Sequence, residues 1–132
     1  MTIFLLAVDA YLLGLGVVVS VVVYPAFSLV GDTEWPAYHA AHSRAITWAV
    51  GPAWLLQGVL SAWWILSRIS TLSLIHGVFA ATGVLLTILG AVPQHNRIAV
   101  SRDVASLTRL ANAHRLRTAA WLAATLCAAW TT

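Results

Sequence analysis

The sequence predicts an all-α membrane protein, a four-transmembrane-helix bundle with a short interfacial helix before the second and fourth spans. Three observations carry this expectation. Hydrophobic residues make up 61% of the 132 positions and charged residues only 8%, with mean hydropathy +0.87; a soluble globule has no interior large enough for such an excess. The apolar residues fall into runs near the roughly 20 residues that cross a bilayer as helix. Between the runs lie short segments rich in His, Arg, Pro and small polar residues. At that length per span the chain holds about four crossings and no separate soluble domain, so residues 1–132 are read as a single integral membrane domain. The same excess of apolar residues excludes a disordered chain.

The first span, about 3–24, is interrupted only by Asp9 and ends at Tyr24-Pro25, because proline disfavours helix at the residue before it. It lacks the basic start of a signal peptide and is expected to be retained. In the polar segment that follows, Thr33 is suited to cap a short helix with Pro36 in its opening turn. The second span, about 45–67, contains Pro52, which removes one helical hydrogen bond and crowds the carbonyl of Trp48, so a bend is expected there. The third span, about 72–92, holds His76 and stops at Pro93. For the fourth, the plainly apolar stretch Thr118 to Trp130 is 13 residues, about 20 Å of helix against a hydrocarbon core of roughly 30 Å. It must therefore begin near residue 110, which draws Asn112, His114, Arg115 and Arg117 against the membrane boundary. Arg115 and Arg117 lie about 200° apart on a helix and cannot face the same way. Snorkelling to the headgroups is the competing reading, stronger for Arg117 than for Arg115.

With four crossings, Arg44, Arg97, Arg102, Arg109, Arg115 and Arg117 share one side and Arg68 alone lies on the other. The positive-inside bias puts the arginine-rich loops in the cytoplasm, and the expected location is the bacterial inner membrane. Each half of the chain runs span, proline (Pro25, Pro93), polar segment with His and Arg, span, a weak internal repeat about the membrane normal.

The arginine-rich side also gathers His39, His42, His95 and His114. His39 and His42 are three apart and share a helix face, a spacing that suits either a His-ligated transition metal (copper, iron or zinc), completed by His95 or His114, or acid-base work without metal. Asn96, Asn112 and Arg115 supply donors for a developing oxyanion beside a histidine base. The competing reading is that these groups pair with acids and freed carbonyls as interhelical glue. Tyr24, Tyr38, Trp48 and Trp121, with Arg44 and Arg97, are candidates to bind a flat aromatic or quinone-like molecule, against plain packing. Trp54 belongs with the deeper tryptophans, whereas Trp35, Trp63, Trp64 and Trp130 fall near span ends as interfacial anchors. At the opposite end Asp9 and His76 lie at matching depth; a buried carboxylate needs a partner, His76 or Arg68, and a structural ion pair is favoured over a proton relay, while Gln57 is expected to bridge helices rather than bind ligand. Gly77, Gly83 and Gly90 read as close-packing positions. Cys127 is a lone thiol in an apolar run, so a disulfide and a Cys-based metal cage are excluded. No nucleic-acid-binding pattern accompanies the arginines, and nucleic acid is not an expected partner.

The segments VPQHNR and NAHRLRTAAW, with Pro25 closing the first span, resemble the anthrone-oxygenase-like family of small four-span membrane proteins. The resemblance implies an oxygenase that converts an anthrone to a quinone, with Asn96, Asn112 and Arg115 as site residues. The HxxHxR segment at His39 to Arg44 and His95 depart from that pattern. The expected function is thus a membrane-embedded, oxygenase-like redox enzyme acting on a hydrophobic small molecule at a His/Asn/Arg cluster. The alternative is a non-catalytic membrane subunit, or a metal- or lipid-binding module, acting through a partner or as a homo-oligomer.

Overall fold

The structure, a computed structural model, describes residues 2–131. Four helices account for nearly all of them: α1 (Thr2–Leu29), α2 (Trp35–Ser67), α3 (Thr71–Val100) and α4 (Val104–Ala129). α1, α2 and α3 are each long and apolar enough to cross a membrane. Successive helices pack side by side, and α4 closes against α1, which leaves α2 and α4 on one diagonal of the bundle.

The buried residues recur at helical spacing. Leu5, Asp9, Leu12, Gly16 and Val19 form the inner stripe of α1, and Leu110, His114, Arg117, Trp121, Ala124 and Ala128 that of α4. Small residues in these stripes let the helices approach closely. Trp121 is wedged between two of them. A Cβ at Gly16 on α1 would meet the side chain of Thr118 at 2.8 Å, and one at Gly83 on α3 would lie 2.9 Å from the indole nitrogen of Trp121. Gly77 and Gly90 are similarly tight, against Ile65 and Ala113.

Three boundaries differ from the sequence expectations, and proline chemistry explains two of them. α1 does not end at Tyr24, nor α3 at Pro93. In each, one wide π turn precedes the proline: the Tyr24 N–H reaches back five residues to the Val19 carbonyl, and the Val92 N–H to that of Thr87. Pro25 and Pro93 have no N–H to give and their rings crowd the carbonyl four residues back; the widened turn absorbs both problems and the helix continues. The third difference is that no separate interfacial helix precedes α2 or α4 among the described residues. Thr33 makes no cap; Trp35 N–H bonds to the Gly31 carbonyl, and α2 runs unbroken for 33 residues past Pro52. Beside Pro52, where the backbone ladder is weakened, the Tyr11 hydroxyl donates to the Ala49 carbonyl at 3.1 Å.

Both short loops around α3 are capped. Ser70 and Ser73 form a reciprocal capping box. Asp103 accepts from the Ser106 N–H at 2.8 Å, and this hydrogen bond holds its carboxyl below the ordinary carboxylate range.

Polar knots hold the two ends of the bundle. At one end Asp9 accepts from Gln57 Nε2 at 2.7 Å and pairs with His76 Nε2 at 2.9 Å, while Ser61 Oγ lies 3.3 Å from His76 Nδ1. The expected Asp9–His76 pair and the Gln57 bridge therefore join α1, α2 and α3. At the other end Arg102 donates to the Phe27 and Val30 carbonyls at 2.9 and 2.6 Å, pairs with Asp32, and stacks over Trp35. The indole of Trp35 in turn donates to the Ile98 carbonyl at 2.7 Å.

Candidate functional site

Between the diagonal helix α2 and its neighbours lies a cavity of about 360 Å3. Its longest wall is one stripe of α2, from His39 and His42 through Ser43, Ile46 and Val50 to Trp54, at the three- and four-residue steps of a helical face. This stripe runs about 22 Å along the helix. Val19 and Tyr24 of α1, Thr87, Ala91 and His95 of α3, and Arg117 of α4 complete the wall. The π turns matter here. Val19 and Tyr24 are five apart and would diverge on a regular helix; the widened turn brings both onto the cavity face.

At the arginine-rich end three imidazoles meet. His39 Nε2 lies 3.2 Å from His95 Nδ1, so one ring donates and the other accepts. His42 stacks near His95 at 6.0 Å between centroids, and Phe27 meets the His42 ring edge-on at 5.2 Å. Tyr24 packs edge-on against His95 and His114. The aromatic cluster orients the rings and leaves the His39–His95 pair able to share or pass a proton.

Deeper along the wall sits Arg117, only 8% exposed. It donates to Thr87 Oγ1 at 3.1 Å and to His114 Nδ1, and its guanidinium neighbours the Tyr24 hydroxyl and stacks on Trp121. A guanidinium only donates, so His114 accepts at Nδ1 and carries its proton on Nε2, which donates to the Gly16 carbonyl at 2.8 Å. Arg117 thus faces no carboxylate: among the described residues Asp9 pairs with His76, Asp32 pairs with Arg102, and Glu34 and Asp103 are exposed.

Of the residues singled out from sequence, the fold brings together His39, His42, His95 and Tyr24, with Asn96 at the rim. Tyr38 is at the surface, stacked on His42 at 6.4 Å. Asn112, Arg115, Arg44 and Arg97 are exposed and do not line the cavity. Trp48 is 79% exposed on the outer face of α2, and Trp121 is buried as packing and lies off the cavity wall. Both nitrogens of His114 are committed, which removes it from a ligand set. No group of three or more His, Cys, Asp or Glu among the described residues is arranged to hold a metal ion. The residue that sequence reasoning left out of the site is Arg117, for which an inward and a snorkelling position both stood open. It falls in phase with Leu110, His114 and Trp121, and that register identifies it as inward-facing; Arg115 is out of phase and points away.

No family model, curated protein or solved structure matches the chain significantly.

Proposed function

We propose that the protein is a four-span integral membrane enzyme of oxygenase-like type, which takes a hydrophobic aromatic or quinone-type molecule from the lipid and oxidises it in the cavity beside α2. The carrying observation is that one apolar-walled hollow holds both a hydrogen-bonded imidazole pair and a guanidinium without a counter-ion. α4 serves as the fourth span in this reading: from residue 110 to its end at Ala129 it covers about 30 Å, Arg117 turns inward, Arg109 lies at the edge of that stretch, and the exposed Arg115 is close enough to the same edge for its side chain to snorkel to the headgroups. The outward Phe4, Val21, Leu55 and Leu89 are compatible with lipid contact. The arginine-rich end lies in the cytoplasm by the positive-inside bias, and the membrane is the bacterial inner membrane.

For an anthrone-type substrate, His95 or His39 takes a proton from the ring methylene, and Arg117 with Tyr24 holds the enolate oxygen as charge develops. The enolate then reacts with dioxygen. The methylene carbon becomes a carbonyl, one oxygen atom entering it and the other leaving as water with the two hydrogens. The resemblance of VPQHNR and NAHRLRTAAW to the anthrone-oxygenase-like family supports this class of substrate, with Arg117 taking the part first given to Arg115.

The test is oxygen uptake by the protein in nanodiscs, screened with anthrones and hydroquinones. We expect one dioxygen consumed per substrate, a fall of about 100-fold or more for His95→Phe and Arg117→Met, and little change for the exposed Arg115→Ala. The exposed Arg44, Arg97, Arg109 and Arg115 favour a second reading, a non-catalytic module that holds anionic headgroups. Absence of uptake with every compound, together with retention on anionic vesicles lost in an Arg44/Arg97/Arg109/Arg115 alanine variant, decides for it.

A further inference from the structure

We infer that the cavity holds its bound ligand as an organic anion, an aromatic ring system with a delocalised oxyanion of the phenolate or enolate class, seated against Arg117, whether it enters ionised or loses its proton there; this rests on the aromatic-ligand reading above.

Two independent observations support it. The first is charge. A guanidinium stays ionised, and a buried cation is costly unless paired. Arg117 is more than nine-tenths buried, yet its protein partners are a hydroxyl at Thr87, an imidazole at His114, the Tyr24 hydroxyl and the face of Trp121, all formally neutral. The second is hydrogen-bond inventory. Ser43 Oγ, Trp54 Nε1 and Arg117 Nε are buried without a protein partner, and all three residues line this one cavity. An indole and a guanidinium nitrogen can only donate, so what this wall lacks is acceptors. An oxyanion on a flat apolar body supplies both the charge and the acceptors, while Val50, Ile46 and Ala91 suit the rest of its surface.

The experiment compares 2-hydroxy-1,4-naphthoquinone, an anion at neutral pH, with its uncharged methyl ether, by equilibrium dialysis against the full chain in zwitterionic nanodiscs, with empty discs correcting for partition. The hydroxy compound is expected to bind about tenfold or more tighter, and Arg117→Gln to erase that preference while the ether keeps its affinity. If Arg117→Gln fails to accumulate, the wild-type comparison decides alone. Equal affinity for the two compounds overturns the anion inference and leaves the aromatic reading standing. No binding of either overturns the aromatic reading itself. A preference erased when gluconate is exchanged for chloride overturns the inference in favour of a small inorganic ion.

Discussion

Arg115 and Arg117 stand two positions apart and end in opposite environments. Their types are identical; only helical phase separates them, and phase is set by which neighbours α4 packs against. The sequence does carry the buried stripe, since Leu110, His114 and Trp121 recur at helical spacing, but the expectation above took Asn112 and Arg115 as the donors instead. The histidines were more legible, because His39 and His42 share a face wherever a helix forms. Gly83 shows a single position fixed by its neighbour. A methyl there would press on Trp121, itself held from the far side by Gly16 and Thr118. Gly83→Ala is therefore expected to cost about 1–3 kcal/mol by overpacking, whereas Gly14→Ala, with open space around its Cβ, serves as the neutral control. Thermal unfolding in detergent compares the two.

Helices rather than residues explain why two prolines misled the boundary reading. A missing N–H is visible in the sequence; the wide turn that accommodates it is not, because it depends on neighbouring helices supporting the shifted backbone. The consequence is positional, since the turn in α1 places Tyr24 and the turn in α3 leads into His95. The start of α4 depends on a titrating cap. Asp103 has its carboxyl held below the ordinary value of 3.8, chiefly by the Ser106 N–H. A lowered folded value means the ionised form favours the capped helix, so this contribution is present above that ordinary value and is lost as pH falls through it and below. Unfolding followed between neutral and strongly acidic pH is expected to show a smaller acid-induced loss for Asp103→Asn, which keeps an accepting oxygen but does not titrate in this range.

Seen entire, the bundle is tied at both ends and hollow along one diagonal. Four helices, the Asp9–His76 pair and the clustering of histidines on one side were readable from periodicity, depth and charge alone. A hollow beside the histidines was expected, but not its walls, because they arise where α2 fails to fill the space beside α4, a property of packing that no single stretch encodes. α2 touches two flanking helices and walls the cavity, while α4 is gripped by close small-residue contacts on both sides. Hydrogen exchange should therefore be faster at residues 43–54 than at residues 114–126, and a bound aromatic anion should slow the former selectively. Uniform protection across the two segments would contradict this picture.

Arg102 belongs to the loop between α3 and α4, yet it holds the carbonyls of Phe27 and Val30, and Phe27 is the ring against which His42 rests. During translation the first hairpin leaves the ribosome long before this clasp exists, and Arg117 follows later still. The imidazoles consequently gain their final alignment only after α3 and the loop that follows it have been made.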